Sequence, residues 1–138
     1  MCSSDLAERQ EWEGDSGNAD LVRRFTDATV AVDLERLAAL LRDDVRCSMP
    51  PTPGLRLGRD AVVADWVTDG FPEMTGLRGV PTSVNRQPAV AFYHRREEHG
   101  PYRPLTLDVL RLSGGVITEI TTFHADRFAG LGLPEQLS

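Results

Sequence analysis

The sequence predicts an α+β domain in which three N-terminal helices close a curved, mixed or largely antiparallel sheet shaped as a cone, an α+β barrel. Three observations predict it. Apolar residues recur at helical spacing in three segments between positions 18 and 71. From position 77 to 124 the chain turns to runs rich in β-branched and aromatic residues, broken by turn residues. Helices first and strands after is the order of an α+β fold rather than of an alternating parallel one.

The elements follow in order. Residues 1–17 are polar and rich in Ser, Glu and Asp, and read as a flexible leader that carries one aromatic, Trp12; a single domain is expected over 18–138. "NADLVRRFTDATVAV" sets Leu21, Phe25 and Ala28 on one helical face, with Asn18 or Asp20 as the cap. "DLERLAALLRDD" follows, capped by Asp33, with Leu34, Leu37, Leu40 and Leu41 as its buried stripe. The two helices are nearly continuous, so a bent pair or helical hairpin is expected. "VRCSM" is a short strand that Pro50, Pro51, Pro53 and Gly54 end in an extended loop. "LRLG" is a second short strand, and "RDAVVADWVTDGF" a third helix with Ala61, Val62, Asp65 and Trp66 near one face. The strands "LRGVPTSVNR", "PAVAFYHR", "PLTLDVLRLS" and "VITEITTFH" then form a meander, with turns at "REEHG" and "SGG". A short helical turn and tail close the chain.

Composition narrows the function. With 138 residues the chain forms one domain large enough for a core without metal or disulfide staples. A net charge of −6 and scattered arginines argue against direct binding to nucleic acid or to an anionic membrane. Two cysteines, Cys2 and Cys47, give neither a disulfide framework nor a metal motif, which fits a reduced cytoplasmic protein. Signal-peptide and membrane-span patterns are absent from the sequence. So are a glycine-rich phosphate loop, GxSxG, HExxH and histidines at metal spacing, and no cofactor is expected.

What remains is one carboxylate in an unexpected place. Asp108 sits in the middle of "PLTLDVLRL", sharing a face with Thr106, Leu110 and Leu112 while Leu105, Leu107 and Val109 share the other. Both faces are largely apolar. A carboxyl held there either finds a partner, for which Arg103 and His124 are the candidates, or has its pKa raised and stays protonated. A neutral histidine at His124, with Ile120 and Thr122 on its face, could serve as general acid or base. Tyr93 and His94 point to opposite faces. Tyr93 runs with Ala89 and Ala91, His94 with Val90 and Phe92, and either set can face a pocket. Tyr102, just after a Gly-Pro turn, suits a rim or a structural role. Trp66 is more often a core residue than a ligand platform, but from the third helix it could do both jobs at the pocket wall, and Met49 and Phe25 suit the apolar lining.

The order helix, helix, strand, helix, strand meander resembles the SnoaL-like and ketosteroid-isomerase-like superfamily, which shares its fold with nuclear transport factor two. "DLERLAALLRDDV" and "GRDAVVADWV" look like that superfamily's second helix with its first strand and its third helix. A narrower likeness lies in "LLRDDVRCSMPP", "NRQPAVAFYHR", "GPYRPLTLDVLRL" and "ITEITTFHADRFAGLGLP", which look like the SnoaL-like domain at the C-terminus of some extracytoplasmic-function sigma factors. The RNA-polymerase-binding and helix-turn-helix domains of such factors have no counterpart here, so a free-standing relative or an excised domain is expected.

The resemblance implies a cone-shaped pocket for an apolar small molecule. It places Asp108 at the isomerase's oxyanion-hole aspartate and puts the face of His124, Ile120 and Thr122 inward. It implies Asp108, His124 and Tyr93 as catalytic residues. The ligand contacts it implies are Phe25, Met49, Trp66, Phe92, His94, Tyr102, Thr106, Leu110, Ile120 and Thr122. It also implies a homodimer through the outer sheet face. Two departures matter: Met49 stands where the isomerase has its catalytic base, and Phe25 where it has its oxyanion tyrosine. The Arg-and-two-Asp set of limonene-type epoxide hydrolases finds only Arg103 near Asp108. The expected function is a cofactor-independent cyclase, isomerase or epoxide-opening enzyme; the alternative is a non-catalytic ligand-binding module.

Overall fold

The computed structural model describes residues 16–50, 52–95, 97 and 99–137. Its first helix, α1 (Ser16–Val30), buries Leu21, Val22, Phe25 and Ala28, a stripe at helical spacing. It starts two residues before the expected cap, so Ser16 and Gly17 are helical; the rest of the expected leader, with Trp12, lies outside the described residues. Asp33 N–H reaches back to Ala28 C=O at 2.9 Å and Val32 N–H to Thr29 C=O at 3.0 Å, which wraps the end of α1 around Val32 at φ 55°. That left-handed residue supplies the bend between the paired helices. Asp33 then caps α2 (Leu34–Leu40) by accepting from Arg36 N–H at 3.2 Å.

Two boundaries differ from expectation. The second helix stops at Leu40, and β1 (Leu41–Met49) begins at once, with Leu41 extended at φ −95°, ψ 141°. Leu41 was expected on the helical stripe; it is buried all the same, but from the strand. Its apolar character carried the burial and left the backbone state open. The proline-rich stretch makes a tight connection rather than a long loop: Met49 pairs with Thr52, and β2 (Thr52–Leu57) runs back along β1. β2 is an edge strand, where proline costs no ladder hydrogen bond.

Helix α3 (Arg59–Thr68) follows, then a 3-10 turn at Phe71–Glu73. The meander is β3 (Leu77–Val84), β4 (Gln87–His94), β5 (Arg103–Ser113) and β6 (Val116–His124). Its β3–β4 turn uses Asn85 and Arg86 and its β5–β6 turn Gly114 and Gly115, all at positive φ as type I′ hairpin turns require. The six strands form one curved, unclosed sheet in the order β2-β1-β6-β5-β4-β3, parallel only between β1 and β6.

Each face of the sheet has its own core. The inner face, with Val90, Phe92, Leu110, Ile117 and Ile120, packs on the three helices. Gly79 of β3 lets α1 approach: an added Cβ would stand 2.6 Å from Thr26 Cγ2 and 3.0 Å from the Phe92 ring. The outer face, with Ala89, Ala91, Tyr93, Leu107 and Val109, lies under the chain's own C-terminal segment through Phe128, Leu133 and Leu137. That segment is tied down by paired backbone bonds of 2.9 Å between Tyr102 and Leu137. The surface through which a homodimer was expected therefore carries this segment over β4 and β5.

Candidate functional site

Asp108 lies on β5, in the middle of the sheet. Across one rung Val90, Asp108 and Thr122 are partners on β4, β5 and β6; across the next, Phe92, Thr106 and His124. From these two rungs Asp108, Thr122, Phe92 and Thr106 face the helices and line a cavity of about 180 Å³. Phe25, Thr29 and Leu37 close it from α1 and α2, Trp66 and Asp69 from α3 and its end, and Phe71, Met74 and Leu77 from the segment that follows. A wider recess of about 410 Å³ adjoins it, and Met49, Trp66, Asp69 and Thr122 belong to the walls of both. Helix α3 presents Val62, Asp65, Trp66 and Asp69 to this recess at positions i, i+3, i+4 and i+7.

One irregularity shapes the wall. Phe92 pairs with Thr106, but Tyr93 pairs with Pro104, so β5 carries an extra residue, Leu105, opposite that step. Strict alternation assigns Leu105 to the outer face; the bulge turns it to the cavity beside Thr106.

Thr122 Oγ1 donates to Asp108 Oδ1 at 2.8 Å. No hydrogen bond from a described residue reaches Oδ2, and no buried side-chain oxygen among them lacks a partner. Oδ2 therefore opens on the cavity. Burial pushes the Asp108 carboxyl up to about 6, against a smaller lowering by the Thr122 hydroxyl. The ion-pair partners considered from sequence are not used: Arg103 is exposed and borders a separate recess with His94, Glu97 and Gly100. Burial, reinforced by the charges of Asp108 and Asp65, pushes the Cys47 thiol up to about 12, which keeps it a neutral wall group. Asp65 is held by Arg56, Nε to Oδ2 at 2.6 Å.

The structure brings together Asp108, Phe25, Met49, Trp66, Phe92, Thr106 and Thr122, all on cavity walls. It separates the others. Tyr93, expected as a catalytic partner, is on the outer face with no exposed surface; its hydroxyl donates to Pro134 C=O at 2.7 Å and its ring meets Phe128 edge-on at 5.3 Å. Val90 and Phe92 win the inward side because they are the larger apolar pair on that strand. His124 has the expected parity, but it is exposed where β6 ends and does not line the cavity. His94 borders the separate recess. Tyr102 packs with the outer cluster, and the guanidinium groups of Arg95 and Arg78 lie 5.0 and 5.7 Å from its ring centre. Leu110 and Ile120 point inward but are packed into the core below the cavity floor, 0% and 1% exposed. Sequence reasoning missed Thr29, Asp69, Phe71, Met74, Leu77 and Leu105 on the smaller cavity's walls. The helical spacing from Val62 to Asp69 could have found Asp69; a bulge leaves no local signal for Leu105.

Among the described residues no group of His, Cys, Asp and Glu is placed to hold a metal ion, and no helix is long and apolar enough to cross a membrane.

Known proteins share this architecture. A curated relative is the ECF RNA polymerase sigma factor SigG of Mycobacterium tuberculosis, 29% identical over 121 residues, which are 86% of this chain and 32% of that protein. The chain thus spans about a third of the length of the curated relatives it matches. Among solved structures, an NTF-2-like protein of unknown function from Burkholderia xenovorans superposes with a TM-score of 0.64 at 14% identity, covering 80% of this chain and 84% of that one. A candidate ketosteroid isomerase from Kribbella flavida gives 0.57 at 22% identity, over 76% and 75% of the two chains. A candidate polyketide cyclase from Sinorhizobium meliloti gives 0.54 at 17%, over 75% and 93%. At these identities the likeness is one of fold. The family model of the SnoaL-like domain matches residues 22–120, from α1 through most of β6, and the chain belongs to that family.

Proposed function

We propose that this domain binds a small, largely apolar molecule in the cavity and that Asp108 moves a proton on it without a cofactor, as in an isomerisation or cyclisation. The observation that carries this reading is the open Oδ2 of a carboxyl poised at about 6, beneath aromatic and aliphatic walls. A group with a pKa near neutrality is populated in both protonation states, which suits it to take a proton and return it. Asp108 as carboxylate would take a proton from a carbon next to a carbonyl and deliver it to another carbon or to oxygen, with no change of oxidation state. Thr122 would hold Oδ1 still, and the dry walls would strengthen the interaction. With Tyr93 and His124 outside the cavity, the chemistry would rest on Asp108, since the other carboxylate on the walls, Asp69, is exposed to solvent.

A second reading is a ligand-binding regulatory module. It is favoured by the match to SigG along 86% of the chain and by the absence of any histidine or tyrosine from the cavity walls among the described residues. Deuterium incorporation separates the two. Small cyclic ketones and β-diketones are incubated in D₂O with the protein and with Asp108→Asn, and followed by proton NMR. Exchange next to the carbonyl with the native protein and none with the variant is the enzymatic result. Binding of such compounds with no exchange above solvent in either protein would overturn the enzyme and leave the module.

A further inference from the structure

We propose that the ligand of this cavity is a compact organic cation, a quaternary or protonated amine with an apolar body; the inference rests on the small-molecule reading of the site. The smaller cavity is walled by four aromatic rings, Phe25, Phe92, Trp66 and Phe71, and by two carboxylates, Asp108 and Asp69. Among the described residues no Arg, Lys or His lines it. The rings form two tilted pairs: Phe25 with Phe92 at 6.0 Å and 64°, Trp66 with Phe71 at 6.3 Å and 52°. Aromatic walls suit a positive group that has lost its water, since the ring quadrupole attracts a cation.

The backbone adds to the same sign. Asp69 is the residue that ends α3, so the C-terminal, negative end of a ten-residue helix meets the cavity where Asp69 stands. In the wider recess Arg56, the one cation among its described lining residues, is taken by Asp65, so that pair is already neutral. Asp69 and Asp108 form no ion pair among the described residues. A neutral ligand filling this space would strip water from the buried Asp108 carboxylate and return no counter-charge, while Asp69 stands exposed at the rim. An ammonium group beside Asp108 restores what desolvation removes, and Asp69 adds a weaker, solvent-screened attraction. The chain's net charge of −6 favours the approach of such a ligand.

The test compares two molecules of one shape, benzyltrimethylammonium and its carbon isostere neopentylbenzene. Binding is followed by Trp66 fluorescence in a Trp12→Phe background. The expected result is a cation bound roughly tenfold or more tightly than the isostere, a difference of about 1.4 kcal/mol. Asp69→Asn and Asp108→Asn should each reduce that preference, and the double variant should abolish it. Asp69→Glu, which keeps the charge, should retain most of it, provided each variant melts cooperatively. A preference that survives in the double variant would overturn the inference. So would equal or tighter binding of neopentylbenzene, which leaves the small-molecule pocket standing. Binding of neither molecule up to its solubility would overturn the inference and the pocket with it.

Discussion

Replacing Asp108 by Asn changes how stability depends on pH. In the folded protein the carboxyl is raised from an ordinary 3.8 to about 6 by burial. Below pH 3.8 it is protonated whether the chain is folded or not, and it has no differential effect. Between the two values the unfolded chain releases the proton while the folded chain keeps it, so stability falls as pH rises. Above about 6 the loss is complete and constant. A rise of that size corresponds to about 3 kcal/mol at full effect, and water entering the cavity reduces it to roughly 1–3 kcal/mol. Against a typical total of about 5–15 kcal/mol the effect is visible. Asn keeps the shape and can still accept from Thr122, but it carries no charge. Urea unfolding of both proteins at pH 4, 5, 6, 7 and 8 gives the difference, in which the other carboxylates cancel. The variant should gain on the wild type by roughly 1–3 kcal/mol between pH 4 and pH 7.5, most of it between pH 4 and 6. A difference flat to within about 0.5 kcal/mol would mean a solvated Asp108 and would refute the burial argument. A difference of opposite sign would mean that a cation of the protein holds the carboxylate.

Three further predictions follow from the packing. Tyr93→Phe loses the bond to Pro134 C=O and should cost about 1 kcal/mol in urea unfolding, with cavity ligands bound as before; a selective loss of ligand binding would return Tyr93 to the site. Gly79→Ala drives a methyl group to 2.6 Å from Thr26 Cγ2 and should destabilise by about 1–3 kcal/mol; an unchanged melting temperature would contradict the close approach of α1 to β3. In a Cys2→Ser background, Cys47 should react with a disulfide reagent at pH 8 at least 100-fold more slowly than free cysteine and normally once unfolded in urea, since its thiol is pushed up to about 12. Rapid labelling of the folded protein would show an accessible thiolate in the recess.

The amino-acid pattern made the fold legible where one periodicity was unopposed. β6 spans Val116–His124 as its β-branched run predicts, and Gly114 and Gly115 form its turn. It was least legible where two states bury the same side chain. Leu41 satisfies the core as the last residue of a helical stripe or the first of a strand, and only the rest of the sheet decides. Asp108 was legible because a carboxylate in an apolar strand is costly wherever the strand goes. Its partner was not: Thr122, rather than Arg103 or His124, faces it by sheet register, which a single sequence does not fix. Parity alone misled at His124, which has the right face but lies past the end of the cavity. It was indeterminate at Tyr93, where the choice depended on whether Ala89 and Ala91 or Val90 and Phe92 would meet the helices. The outer face gave no warning of its cover, because Phe128 and Leu137 come from a tail without periodicity.

The central claim is that Asp108 is a buried carboxyl open to a ligand cavity and poised near neutrality. Its most direct test is the titration of the Asp108 side-chain carboxyl carbon by NMR, assigned by its absence in Asp108→Asn. The account predicts a midpoint of about 6. A midpoint at or below the ordinary 3.8 would mean that water or a cation solvates the group, and the proposed proton transfer would lose its acid/base residue.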